Sequence, residues 1–220
     1  MPELPEVETT RRAISNFEGK VIKSSKVNNP NLRWKIDKNF EAIVRNFQIE
    51  EISRRAKYII FKSDTYSMLL HLGMSGSLRI LDRASNQFKK HDHVEFFFED
   101  KKIIYNDPRR FGFFKFINNK QELINRFSHL GPEPFFKSFN LNYLLEYFFN
   151  KKKDIKSFLI DQKFVSGIGN IYASEILFLS KINPKTLAMK LSKEKCKRIV
   201  FFSKSVLNKA IKKGGSSIRD

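Results

Sequence analysis

Apolar and polar positions change rhythm twice along these 220 residues. Near the start, Val7, Thr10 and Ile14 recur at helical spacing and predict one inward face. Pro5 stands at the beginning of that segment, where its missing N–H costs little. Glu6 and Glu8 precede Arg11 and Arg12, the order that complements a helix dipole. From about Lys20 to Ile117 the rhythm shortens towards alternation, with turn residues between segments. The predicted strands are Val21–Val27, Ala42–Ser53, Tyr58–Lys62, Ser67–Leu72, Ser77–Leu81, Val94–Phe98, Lys102–Asn106 and Gly112–Ile117. Many short strands without helices between them predict a β-sandwich or barrel. Gly131-Pro132-Glu133-Pro134 reads as a stiff linker and divides residues 1–130 from 131–220. Beyond it the period returns to helical, with helices near Leu141–Phe149, Ile155–Leu159, Ile171–Ser180 and Lys193–Lys213. The last carries Ile199, Phe202, Val206 and Ala210 on one face.

Charge adds the first functional constraint. Lys and Arg total 42 against 23 acids, a net charge of +19. Such a surface points to a polyanion, with nucleic acid the leading partner. Lys outnumbers Arg 29 to 13, and Phe, Asn and Ile are abundant. That bias matches an AT-rich coding sequence, so part of the lysine excess is solvated surface. No apolar run approaches the roughly 20 residues that span a bilayer. The acids in the first residues argue against a secretory signal, which leaves a cytoplasmic, nucleoid-associated protein as the expectation. Cys196 is the only cysteine, so no disulfide within the chain and no thiolate zinc site is available. His91 and His93 are expected to share one strand face, as a polar edge pair or phosphate contact rather than a metal pair.

Four short motifs carry chemistry. Removal of Met1 makes Pro2 a free secondary amine, which titrates near about 7.7–8.0 as α-amino groups do. Such an amine attacks a sugar C1′ to give an iminium, and Glu3 and Glu6 are near enough in sequence to move protons. Gly167-Ile168-Gly169-Asn170 precedes a predicted helix; it suits a phosphate at the helix start, with Asn170 as cap or phosphate ligand. A plain loop and cap is the other reading. Met74 sits in a Gly- and Ser-rich turn, where an exposed Met suits insertion into a base stack. Arg109, Arg110 and Phe111 share one tight turn, able to reach a base edge, a phosphate or a gap between bases. Each turn alone is compatible with ordinary structure. Together they fit an enzyme that takes a base out of the duplex and fills the hole.

The segments PELPEVETTRR, RRAKYIIF, HLGMSGSLR, KHDHVEF, NDPRRFG, LGPEP, DQKFVSGIGNIYASEILF and GGSSIRD resemble, in order, those of formamidopyrimidine-DNA glycosylase. The resemblance runs from Pro2 to Asp220. It implies an α+β protein: an N-terminal β-sandwich with flanking helices, then a helix-two-turn-helix domain, acting as a monomer on double-stranded DNA. The implied activity is excision of oxidised purines (8-oxoguanine, formamidopyrimidines), followed by strand cleavage by elimination at the abasic site. The resemblance makes Pro2 the Schiff-base nucleophile, Glu3 the general acid/base and Lys57 the lysine of β-elimination and phosphate contact. His71 and Asn170 would hold phosphates beside the lesion. Met74, Arg109 and Phe111 would fill the void, with Arg109 facing the orphaned cytosine. His91 and Lys152 match further DNA-contacting positions.

The same resemblance implies that GGSSIRD is followed by a lesion-facing loop and a four-cysteine ribbon holding one Zn2+. This sequence stops at Asp220 with a single cysteine, so no zinc is expected within it. Weaker DNA binding and a compromised δ-elimination are the corresponding expectations. Two rivals remain. An endonuclease VIII-like enzyme for oxidised pyrimidines usually opens Pro-Glu-Gly-Pro-Glu, whereas Leu4 stands here. A truncated, non-catalytic remnant that only binds damaged DNA is the other.

Overall fold

The computed structural model describes residues Pro2–Gly215. These divide into two compact units. Pro2 joins Val7–Arg126 in the first; Glu3–Glu6 join the described residues from Phe127 onward in the second. The first helix, α1 (Leu4–Ala13), is therefore divided between them, its opening turn counted with the second unit. That turn is closed by half of a capping box: the Glu3 N–H donates to the Glu6 carboxylate at 2.9 Å.

The first unit carries two four-stranded antiparallel sheets. One has the order β10 (Phe113–Ile117), β6 (Ser67–His71), β5 (Tyr58–Lys62) and β4 (Glu51–Arg55). The other runs β2 (Ser24–Val27), β8 (Asp92–Phe97), β9 (Lys101–Asn106) and β7 (Ser77–Asp82). Inward residues of both, among them Ile59, Phe61, Leu70, Val94, Phe96 and Ile103, form one apolar core. That shared core makes the pair a sandwich. Each such side chain contributes roughly 1.5–3 kcal/mol by leaving water.

Two predicted strands are corrected. Val21–Val27 breaks at Lys23: β1 (Val21–Ile22) pairs with β3 (Phe47–Gln48), while β2 pairs with β8. The chain thus leaves one sheet for another within a single extended run, which periodicity cannot register. Ala42–Ser53 begins inside a helix, α2 (Phe40–Val44). Phe40 and Val44, four apart, are both buried beneath it. Asn46, at φ 61°, then turns the chain before β3 and β4. A further helix, α3 (Lys120–Phe127), was not expected, because it is short and buries no residue fully. Its signal was a capping box: Asn119 accepts from the Glu122 N–H, and Glu122 accepts from the Asn118 N–H.

The second unit is helical, with α4 (Leu141–Phe148), α5 (Ile155–Leu159), α6 (Asn170–Leu179) and α7 (Lys193–Lys212), each within a residue of its predicted bounds. Asn140, Asp154 and Ser192 cap α4, α5 and α7 through their side chains. Phe139, Phe164, Tyr172, Ile176 and Ile199 centre the core. Two turns join α5 to α6. The Gly131–Pro134 stretch is docked rather than free: Ser166 donates its N–H to the Pro132 carbonyl and its hydroxyl to the Gly131 carbonyl. Among the described residues no helix is long and apolar enough to cross a membrane.

Candidate active site and nucleic-acid interface

At the start of α6, Gly169 and Ile171 offer the unpaired N–H groups found at any helix N-terminus. The buried Glu3 carboxylate takes both, Oε2 from Gly169 at 2.6 Å and Oε1 from Ile171 at 2.9 Å. The expectation that this helix start binds phosphate through its free N–H groups is thereby corrected: a carboxylate of the chain itself occupies those two donors. Asn170 is not the cap either. Gly169 is the N-cap, and Asn170 is the first helical residue, with its side chain exposed. Glu6 accepts the Tyr172 hydroxyl at 2.6 Å, a second tie from the Glu3–Glu6 turn to α6.

The loop before α6 has its own brace. Gln162 donates its amide to the Ile168 carbonyl at 2.7 Å and accepts the Gly167 N–H at 2.8 Å. Gly167 has φ +96°, and a Cβ there would meet Leu4; only glycine takes that conformation without strain. Gln162 and Tyr172 were not singled out by sequence reasoning. Their residue types carry no catalytic signal, and their role depends on distant backbone.

In the first unit, Lys57 follows Ala56, which adopts φ 52°, and is largely buried. His71 ends β6. Its ring stacks on Phe113 at 5.3 Å and meets Tyr58 edge-on at 5.0 Å. The Gly73 N–H donates to Nδ1 at 3.0 Å. The neutral ring therefore carries its proton on Nε2, an assignment that follows from this bond. Burial pushes the imidazole down to about 4, and the charges of Lys57, Arg33 and Arg126 push the same way. His71 thus stands ready to donate a neutral hydrogen bond inside a cationic surrounding. Arg126 lies over Trp34, which packs on Phe113 at 4.0 Å. Arg33, Trp34 and Arg126 were not singled out, since isolated basic and aromatic residues, the first two in a loop and the last in α3, have no spacing to mark them.

Arg109 and Phe111 share one turn, and the Gly73 backbone beside Met74 abuts it. Met74 and Phe111 are exposed, 37% and 44%, and the Arg109 guanidinium lies 4.9 Å from the Phe111 ring centre. Arg33, Arg109, Arg110 and Phe111 line a hollow of about 660 Å³. The two loops are interlocked at their stems. Gly73 has φ +66°, and a Cβ there would press into the Phe111 and Gly112 backbone.

The two histidines sit in different settings. His91 lies just outside β8 at φ 75°, and a register shift follows between Asp92 and Val94. His93 is buried, its Nε2 at 2.8 Å from the Asp107 carbonyl. The two rings nevertheless lie side by side, with centroids 6.2 Å apart. Lys152 is exposed in the turn before α5. The GGSSIRD motif lies, after Gly215, outside the described residues. Among those described, no three His, Cys, Asp or Glu side chains converge as metal ligands. Cys196 is buried in the helical core, where burial pushes its thiol up to about 11. The described residues therefore do not fit the zinc site that the resemblance implies.

Two family models match the chain: the formamidopyrimidine-DNA glycosylase N-terminal domain over residues 1–114, and the formamidopyrimidine-DNA glycosylase H2TH domain over residues 130–220. A formamidopyrimidine-DNA glycosylase of Legionella pneumophila (strain Paris) is 43% identical, covering 100% of this chain and 81% of the relative. One from Histophilus somni (strain 129Pt) is 42% identical with the same coverage. Among solved structures, a mutant Lactococcus lactis enzyme in complex with Fapy-dG containing DNA matches with TM-score 0.92 and 35% identity, over 100% of this chain and 82% of that one. The Lactococcus lactis enzyme non-covalently bound to an AP site containing DNA gives 0.91 and 34%, over 98% and 83%.

Proposed function

Since the chain belongs to the formamidopyrimidine-DNA glycosylase family of DNA glycosylases and AP lyases, we propose that it excises oxidised purines from duplex DNA through the amine of Pro2. The observation that carries this reading is the placement of Glu3. The residue covalently next to the nucleophile has its carboxylate fixed by two N–H groups at the start of α6.

The steps follow from that arrangement. Pro2 nitrogen attacks C1′, and the glycosidic bond breaks with its electron pair leaving on the base, which is protonated from solvent. Glu3 takes the proton of the new ammonium and gives it to O4′ as the C1′–O4′ bond opens. The nitrogen lone pair then forms the C1′ iminium. The iminium acidifies C2′–H. Loss of that proton expels the 3′ phosphate, and water releases Pro2. Lys57 serves the elimination and a phosphate. His71, His91, Asn170 and Lys152 hold the backbone. Met74, Arg109 and Phe111 occupy the space of the everted base, with Arg109 towards the orphaned cytosine.

Borohydride trapping tests the reading. Wild-type protein lacking Met1 is expected to form a covalent adduct with an 8-oxoguanine duplex, and Pro2→Gly none. Absence of any adduct from protein lacking Met1 would sink the proposal in favour of a binding-only protein. Faster excision of thymine glycol than of 8-oxoguanine would instead assign the chain to oxidised pyrimidines.

A further inference from the structure

The hole-filling side chains protrude from loops whose stems converge on one buried carboxylate. Asp107 is fully buried. Its Oδ1 accepts the Ser75 hydroxyl; its Oδ2 accepts the Tyr105 hydroxyl at 2.9 Å and the Gly112 N–H at 2.8 Å. Ser75 Oγ in turn accepts the Arg109 N–H at 3.0 Å. A chain of hydrogen bonds thus runs from the Arg109 backbone through Ser75 to Asp107 and on to Gly112. It brackets Phe111 and, at Ser75, holds the residue next to Met74. Burial, then the neighbouring Asp107, pushes the Tyr105 phenol far up, so it stays a donor. The Asp107 carbonyl also accepts the Arg110 N–H at 3.1 Å and faces His93 Nε2, which braces the same turn from behind.

We propose that Ser75 and Asp107 are positioning residues that hold Met74, Arg109 and Phe111 as one preformed wedge. The inference rests on the hole-filling role given to those three under the proposed function. Exposed apolar side chains on loose loops would have to be ordered as they entered the base stack; a shared buried anchor removes that cost beforehand. A role in folding alone would stabilise the loops without making the anchor matter to insertion.

The test is stopped-flow fluorescence with a duplex carrying a tetrahydrofuran abasic analogue opposite 2-aminopurine, which needs no turnover. Ser75→Ala is expected to slow the insertion phase at least fivefold and weaken the abasic duplex similarly. Its effect should vanish in a Phe111→Ala background. Asp107→Asn should act in the same direction; if it fails to fold, Ser75→Ala still decides. An unchanged insertion rate in Ser75→Ala overturns the inference, as does equal slowing with and without Phe111. If Met74→Ala and Phe111→Ala themselves leave insertion unchanged, the hole-filling reading fails first, and that outcome is distinct from the others.

Discussion

The Glu3 carboxylate sits 2.6 Å from the Gly169 N–H, linking the residue after Pro2 to a backbone position 166 residues away. Glycine is required at that partner for reasons of space. A Cβ at 169 would lie 2.6 Å from Glu3 Oε1 and 2.5 Å from its Cδ.

Gly169→Ala is therefore expected to displace the carboxylate. General acid–base groups contribute about 10²–10⁴-fold, so single-turnover excision should fall by at least about 10²-fold. The lost hydrogen bonds should lower stability by roughly 1–3 kcal/mol, read from denaturant melts. Glu3→Gln keeps the volume but turns an amide NH2 towards an N–H donor; it should abolish excision while abasic-duplex binding persists. Near-normal excision by Glu3→Gln would remove Glu3 from the mechanism.

His71 makes stability depend on pH. Its folded value, about 4, lies below the roughly 6.5 of an unfolded histidine. Between those values the unfolded chain binds more protons, so the contribution is fully present above about pH 6.5 and is lost as pH falls towards 4. Urea midpoints at pH 7.5 and pH 5 should differ more for the wild type than for His71→Gln. Equal slopes would show that the histidine is not held neutral.

Gln162→Met removes two anchoring bonds of the loop before α6 at similar volume. The Gly167 N–H and Ile168 carbonyl lose their partner, which should cost about 1–3 kcal/mol. Because the loop sets Asn170 and the Gly169 N–H, affinity for abasic DNA should weaken too. Loss of stability with unchanged affinity would confine Gln162 to the fold.

Lys152 is exposed and is given a phosphate contact. Lys152→Ala should reduce the slope of log affinity against log salt by about 0.9. An unchanged slope would place this lysine among the solvated surface charges that the lysine-rich composition already suggests.

The helices of the second unit were legible because their apolar faces and their caps at Asn140, Asp154 and Ser192 are local signals. Strand Val21–Val27 was misread because its residues change partners at Lys23, and pairing is a property of two segments, not one. The site shows the same division. Met74 and Phe111 stood out in the sequence as exposed because large apolar residues in polar turns are anomalous. Asp107 and Ser75 were not, because an Asp-Pro turn and a Ser beside Gly are ordinary in sequence.

The sequence by itself determined the residue types: a proline next to a carboxylate, a glycine loop before a helix, and large apolar residues in turns. Only tertiary structure decided how they are used. It filled the helix start at Gly169 with Glu3 instead of leaving both donors to a phosphate. It buried His93 against the Asp107 carbonyl, and it tied two loops to Asp107. Hydrogen bonds between residues far apart in the chain depend on distances that folding sets, and no local pattern encodes those distances.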